Sequence, residues 1–431
     1  MRPIHAPVPD APARIGGSLR IALLAYRGNP RCGGQGVYTR HLSRALVAAG
    51  HRVTVFAGQP YPELDPGVDF TPLPSLDLYR EPDPFRRPRW REIASPTDAV
   101  ELATMWTGGF AEPRTFSWRA RTALAPRRAE FDVVHDNQGL GTGLARMQAD
   151  GWPVVASIHH PVTIDRRLDL AEARGTARAL SLRRWYGFAA MQNRVARGLA
   201  RVVTVSETSR RDIVAEMGVA PDRIAVIPLG VDTDSWRPHP GLARVPGRIM
   251  TTSSADVPLK GLVFLLEALA KLRTERDDAH LVVVGQPRGA SPVMVAIARF
   301  GLEGAVRFVG GESDCRLAER YAEASVAVVP SLYEGFSLPA IEAMACGVPL
   351  VATTGGALPE VVGPDGGSAL VVPPADPGAI AAAIGRVLAR PALARRLGAA
   401  GRARVLERFS WTRVAVATAE EYRAVLAGRP C

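Results

Sequence analysis

From Leu19 onward, short apolar runs alternate with stretches that are apolar on one helical face only. L-R-I-A-L-L-A at 19–25 is nearly continuous in apolar residues, as expected of a strand buried on both faces. C-G-G-Q-G at 32–36 is a glycine turn. The segment 37–49 places Val37, Leu42, Leu46 and Ala49 on roughly one face of a helix, which Gly50 stops. R-V-T-V-F at 52–56 is the next strand. Strand, glycine loop, helix and strand together open a parallel α/β sheet.

The alternation continues through strands at 131–135, 153–160, 201–206 and 223–228, with a long helical stretch at about 165–200. Residues 58–130, rich in Pro and Arg and holding Trp90, Trp106 and Trp118, interrupt it and read as an irregular insertion. P-L-G-V-D at 228–232 reads as a hinge, and the pattern restarts at Arg248. Strands are expected at 248–253, 280–285, 306–310, 326–330, 349–353 and 369–373, with an amphipathic helix at 261–273 and a helical tail from Trp411 to 426. The pattern predicts a loose tail at 1–18, an amino-terminal Rossmann-like domain at 19–230 with the insertion at about 58–130, a carboxy-terminal one at 231–410, and a final helix within 411–431.

Composition narrows the function classes. The 431 residues carry 53 basic and 42 acidic side chains, a net +11. A polyanion partner is the first thought, but only Lys260 and Lys271 are lysines, so the arginine excess reads largely as coding bias. The surplus lies mainly in residues 1–200, with 27 basic against 18 acidic residues; residues 201–431 hold 26 against 24. One helical region crowds Arg166, Arg167, Arg174, Arg178, Arg183, Arg184, Arg194 and Arg197 around Trp185, Tyr186 and Phe188. It reads either as a peripheral contact with an anionic membrane or as the solvated face of a helix whose core stripe is Phe188, Met191, Val195 and Leu199. Cys32, Cys315, Cys346 and Cys431 form no C-x-x-C pair, which points to a reducing compartment and against a cysteine metal site. With no signal-type apolar region and no run of about 18 apolar residues, the expectation is a cytoplasmic protein.

The phosphate loop, the dinucleotide fingerprint after the first strand, H-E-x-x-H and G-x-S-x-G are all missing from the sequence. The richest segment is S-L-Y-E-G-F-S-L-P-A-I-E-A-M-A-C-G-V-P-L-V-A-T at 331–353. A strand ends near Pro330, a loop carries Glu334 and Gly335, and a helix begins near Ser337 with Pro339 in its first turn, where proline is tolerated. The free N–H groups of Phe336, Ser337 and Leu338 form a natural anion site, and Glu334 and Glu342 accept hydrogen bonds from hydroxyls. That combination suits a sugar phosphate or nucleotide sugar, although a surface loop with two solvated acids has the same spacing. Lys260 precedes a second helix, where a point charge adds to a phosphate site or simply faces solvent. His159 and His160 end a strand where α/β sheets build sites.

E-G-F-S-L-P-A-I-E-A-M-A-C-G-V-P-L-V-A, with Glu334 and Glu342 as an E-x7-E pair, resembles the retaining glycosyltransferases of family four, and the resemblance covers nearly all of the chain. It implies the GT-B fold: two Rossmann-like α/β domains facing a central cleft, with a carboxy-terminal helix crossing back to the first domain. It further implies that Glu334 contacts the transferred sugar, Glu342 the nucleotide ribose, Lys260 the diphosphate, and the loop at Phe336, Ser337 and Leu338 the donor. His159, with His160 as the fallback, would stand beside the reacting carbon, and the Gly33–Gly34 turn would face the donor phosphates. Gly355–Gly356 and Glu360 form a G-G-x-x-x-E pattern near the site. The family's usual arginine six residues before the lysine is replaced by Ser254, leaving Arg248 and Arg288 as substitutes.

The reaction implied is retaining transfer of a sugar from a nucleotide sugar, UDP- or GDP-linked, to a hydroxyl of a glycan, lipid-linked or small-molecule acceptor. No cofactor and no metal are expected. Asp232–Asp234, a D-x-D pair, falls in the hinge and reads as a loop. A nucleotide-sugar epimerase of the same fold and a non-catalytic sugar- or anion-binding protein are the rival readings. A nucleic-acid partner would explain the charge but not the motif.

Overall fold

The computed structural model describes residues 17–29, 34–80, 83–253, 257–287 and 291–428. Seven strands form the first sheet: β1 (Arg20–Ala25), β2 (Arg52–Ala57), β3 (Asp69–Pro72), β4 (Val133–Asn137), β5 (Val154–Ser157), β6 (Arg201–Thr204) and β7 (Ile224–Val226), in the order β3-β2-β1-β4-β5-β6-β7. Six strands form the second: β8 (Arg248–Thr252), β9 (His280–Val284), β10 (Val306–Val309), β11 (Val326–Val329), β12 (Leu350–Thr353) and β13 (Leu370–Val372), in the order β10-β9-β8-β11-β12-β13. The paired strands run parallel, with Ile21 opposite Val53 and Val133, and Met250 opposite Val282 and Ala327. This is the α/β architecture of two Rossmann-like sheets that the alternating pattern predicts. The continuous apolar runs follow from burial on both faces: every residue of β4, β5, β11 and β12 is buried.

Residue contacts group the chain into two compact units. The first comprises Met1–Ala156, Arg174–Arg201 and Ala415–Cys431; the second comprises Ser157–Ala173 and Val202–Val414. In the first, the end of the helix Trp411–Leu426 is held by buried Tyr422, whose hydroxyl lies 2.5 Å from His135 Nδ1, and by Glu421, which accepts from Arg201 Nε at 2.5 Å. In the second, the helix Leu262–Arg273 buries Leu262, Leu265, Leu266, Leu269 and Leu272 against β8, β9 and β11. Among the described residues no helix is long and apolar enough to cross a membrane.

Two expectations need correction. Residues 58–130 are not irregular: they contain β3, paired with β2, and the helices Pro96–Trp106 and Glu112–Leu124. Buried charge hides the helical pattern there. Glu101 and Asp98 lie inside and pair with Arg119, and Glu112 lies inside 2.7 Å from Arg27, so inward-facing positions read as polar. The long helix expected at about 165–200 is three helices, Val162–Glu172, Thr176–Trp185 and Phe188–Gly198. Gly175, at φ +86°, breaks it first, and a break at Gly187 separates the second and third.

Candidate active site

The richest cluster of chemistry lies within the second unit, where the chain leaves β11. After Pro330 it enters a loop and then the helix Leu338–Ala345. Glu334 sits in that loop and is 9% exposed. Its carboxylate accepts from Lys260 Nζ at 2.8 and 3.0 Å and from Ser331 Oγ at 2.7 Å. An ionised carboxylate so covered needs such partners, because burial without them is costly.

Lys260 ends a single tight turn, Pro258–Lys260, just before the helix Leu262–Arg273. Gly261, at φ +67°, makes the handover, and a Cβ there would fall 2.1 Å from the Pro330 carbonyl. Leu332 N also donates to Leu259 O at 2.8 Å. The lysine loop and the glutamate loop are thus laced together by their backbones, 74 residues apart in sequence.

The backbone of Glu334 is fixed from the other side by the Gly355–Gly356 turn. Ala357 N donates to Glu334 O at 2.8 Å, and a Cβ on Gly356, at φ +63°, would stand 2.2 Å from that oxygen. Thr353 Oγ1 donates to Ser331 O and accepts from Gly355 N. These glycines support the loop through close packing.

Ser337 opens the helix Leu338–Ala345 at φ +117°, a strained value for a residue with a side chain, and its Oγ accepts from Ala340 N at 3.4 Å. Phe336 turns its ring inward against Phe409, 5.7 Å between centroids, so only its backbone is left to meet a ligand. Leu338 begins the helix and is half-buried. Glu342, also half-buried, lies just over one turn into it. Burial pushes its carboxyl up to about 8, and the nearby Asp314 charge adds to the effect. Tyr321 lies beside it, fully buried, with its hydroxyl 2.9 Å from Thr252 Oγ1.

His159 follows β5, and burial holds its imidazole down to about 4, so the ring is neutral at neutral pH. Its carbonyl reaches the same loop: Ser209 Oγ donates to His159 O at 3.4 Å and to Gly335 O at 3.0 Å, and Ser206 Oγ donates to Gly335 O at 2.7 Å. The structure therefore brings His159, Lys260, Glu334 and Ser337 to one place. His160 turns instead to Asp165, with Nε2 3.1 Å from Oδ1, and packs near the Tyr333 ring. The Tyr333 hydroxyl donates to Asp212.

Two suggested residues serve other purposes. Arg248 opens β8 at the end opposite the site and pairs with Glu323 at 2.6 Å; a five-residue strand, about 13 Å long, separates it from the loop of Lys260. Glu360 caps the helix Glu207–Asp212, its carboxylate accepting from Glu207 N at 2.8 Å and Thr208 N at 2.9 Å. Gly34 lies in the first unit, exposed at the start of the helix Gly34–Ala48; Gly33, Ser254 and Arg288 lie outside the described residues. Asp232 caps its own turn, accepting from Asp234 N and Ser235 Oγ at 3.2 Å each. Sequence reasoning missed Ser206, Ser209 and Ser331. Only Ser206 left a trace, as a serine directly after a strand and before a helix.

Residues 240–404 match the model of the glycosyl transferases group 1 family, and residues 32–235 that of Glycosyltransferase Family 4. An MMP alpha-(1->4)-mannosyltransferase of Mycolicibacterium hassiacum is 54% identical over 95% of this chain and 99% of its own. This chain belongs to the group 1 glycosyltransferases. A D-inositol 3-phosphate glycosyltransferase of Kineococcus radiotolerans is 30% identical over 96% of this chain and 95% of its own. Among solved structures, sucrose-phosphate synthase of Thermosynechococcus elongatus superposes with a TM-score of 0.70 at 25% identity, over 95% of this chain and 99% of that one. HepE of Anabaena, solved in complex with UDP-glucose, gives 0.69 at 18% identity over 94% and 100%. The fold of this glycosyltransferase is therefore GT-B.

In such an enzyme the cluster around Glu334 has the right chemistry for a donor. A cation and a helix amino terminus suit a diphosphate, carboxyl groups suit sugar and ribose hydroxyls, and a neutral imidazole can bond to a hydroxyl without adding charge.

Proposed function

We propose that the enzyme transfers a mannosyl group, with retention of configuration, from a nucleoside diphosphate mannose to a hydroxyl of a neutral glycan. The observation that carries this reading is the Lys260–Glu334 pair at the amino end of the helix Leu338–Ala345. A donor diphosphate competes with Glu334 for Lys260, and the freed carboxylate then accepts from the hydroxyls of the transferred sugar. The leaving diphosphate gains charge as the glycosidic bond breaks. Lys260, the amides at 336–338 and the helix dipole stabilise that charge. The acceptor hydroxyl attacks from the face the diphosphate leaves, and a phosphate oxygen takes its proton. His159, neutral and beside Gly335, donates or accepts a single hydrogen bond with the sugar. Glu342 meets the ribose as an uncharged acid below about pH 8, which avoids repelling the diphosphate.

Mannose and a glycan acceptor are favoured by the 54% identity to the mannosyltransferase, against about 30% for the inositol-phosphate enzymes. No metal takes part in this reading. The test is a thermal-shift panel of UDP-, GDP- and ADP-linked mannose and glucose, followed by transfer to an α-mannoside with and without chelator. One donor should raise Tm, lose that effect in Glu342→Ala, and give an α-linked product by NMR. A β-linked product, or no shift with any donor, would sink the proposal.

A further inference from the structure

In the first unit, a recess of about 440 Å³ is lined by Phe85, Arg87, Met105 and Trp106. Its rings are unusually open for large apolar groups: Phe85 is 57% and Trp106 64% exposed. Phe85 holds φ +64°, which an aromatic side chain rarely adopts, and its N–H donates to Leu78 O at 2.7 Å to fix that turn. Backbone strain of this kind clusters at ligand sites. Trp106 stacks on no other ring, and Arg87 has no ion-pair partner, among the described residues.

The recess is connected through packed rings to the end of the first sheet where ligands are expected. The chain order reverses between β1 and β4, and doubly wound sheets take ligands beyond the carboxyl ends of such strands. Arg27 stands there, two residues past β1, paired with buried Glu112 and lying over the Phe110 ring at 5.8 Å. Phe110 packs on Trp185 at 5.2 Å, and Trp185 on Phe85 at 6.2 Å. Ring contacts therefore link Arg27, past the end of β1, to Phe85 at the recess.

We propose that this recess is a remote subsite for a pyranose ring of an oligosaccharide acceptor. The faces of Phe85 and Trp106 cover the C–H face of the sugar, and Arg87 donates to its hydroxyls. The recess volume lies within the range of small-molecule sites. This inference rests on the reading of the enzyme as one that extends a glycan.

The test is calorimetric titration of the full chain, without donor, with α-(1→4)-linked mannotetraose and with methyl α-mannoside. Trp106→Ala and Phe85→Gly should each weaken tetraose binding by about tenfold, the loss of one good stacking contact, and leave the monosaccharide unchanged. Trp106→Phe should restore most of the affinity, and the donor-induced thermal shift should stay intact in every variant. If Phe85→Gly does not fold, the exposed Trp106 variants decide alone. Unchanged tetraose affinity in Trp106→Ala would overturn the subsite. So would loss of binding to vesicles of 30% phosphatidylglycerol with tetraose binding intact, which would make the patch a membrane contact. If tetraose binding falls as expected but no donor supports transfer, the subsite stands and the transfer reading fails.

Discussion

The ammonium of Lys260 lies 2.8 and 3.0 Å from the two carboxylate oxygens of Glu334. One of only two lysines in the chain thus holds the one acid of the β11 loop that is almost wholly covered. Removing the cation leaves that carboxylate, among the described residues, with Ser331 as its remaining side-chain donor. Lys260→Ala should therefore cost about 1–3 kcal/mol of stability and lower kcat/KM at least about a hundredfold, the larger loss arising from the leaving diphosphate. Lys260→Arg should restore stability better than turnover, because a planar fork does not replace a point charge in this tight turn. Urea unfolding and steady-state kinetics on the same preparations check both outcomes.

Glu342 gives the enzyme a measurable pH dependence. Its folded pKa of about 8 lies above the ordinary carboxylate value, so between roughly pH 4.5 and 8 the native state holds a proton that the unfolded chain has released. Its contribution to stability is fully present below that window and is lost as pH rises through it. Glu342→Gln should flatten the fall between pH 5 and 8 and be the more stable protein at pH 8.5, by about 1–3 kcal/mol given partial exposure. In the wild type the donor KM should climb above pH 8 as the anion forms beside the diphosphate. Denaturant midpoints and donor KM across pH 5–9 decide the matter; parallel curves for the two proteins would remove Glu342 from the account.

His159 acts in the opposite direction. Burial lowers its pKa to about 4, so the unfolded chain takes up a proton between pH 6.5 and 4 that the native state refuses. Stability should fall with acid over that interval, and His159→Gln should remove that part of the slope while slowing transfer at pH 7. A pH-independent activity loss in His159→Gln fits a hydrogen-bonding role, whereas loss of one limb of a bell-shaped profile would mean the ring carries a proton in the reaction.

The strands were legible because burial on both faces leaves continuous apolar runs; 19–25 and Arg20–Ala25 differ by one residue at the start. The helices Pro96–Trp106 and Glu112–Leu124 were not, because Glu101 and Glu112 face inward on arginine partners and cancel the apolar stripe. At the site, the run from Glu334 to Glu342 was readable from its spacing and wording. The bond from Lys260 to Glu334 was not, since a pairing across 74 residues leaves no local pattern. Glu360 shows the converse error. An acid four residues after a glycine pair reads the same whether it faces a ligand or a helix end, and only the fold reveals the amides of Glu207 and Thr208 before it.

Gly356, like Gly261, should be a highly sensitive small position near the site. An alanine there meets two obstacles at once, φ +63° and a backbone oxygen of Glu334 at 2.2 Å from the new Cβ. Gly356→Ala should destabilise by about 2–4 kcal/mol and depress turnover by shifting the Glu334 loop. Gly366→Ala is the control: it has a similar φ, +73°, but nothing within 4 Å of the added carbon, so it should cost only about 1 kcal/mol and leave turnover unchanged. Equal stability losses in the two variants would show that backbone conformation, and not contact with Glu334, governs the position.

Glu360 separates a capping role from a ligand role. Its two oxygens serve the free amides of Glu207 and Thr208 at the start of the helix Glu207–Asp212, and Ser206, the residue before that helix, donates to Gly335 O beside Glu334. Glu360→Ala should therefore cost about 1–2 kcal/mol, the usual value of a lost helix cap, and reach the site through the bonds of Ser206 and Ser209 to Gly335 O. The donor affinity measured by thermal shift should change less than threefold, about 0.6 kcal/mol, while Glu360→Gln, which keeps one acceptor oxygen, should recover roughly half the stability. A loss of donor affinity tenfold or more in Glu360→Gln, with stability near wild type, would return this carboxylate to the ligand.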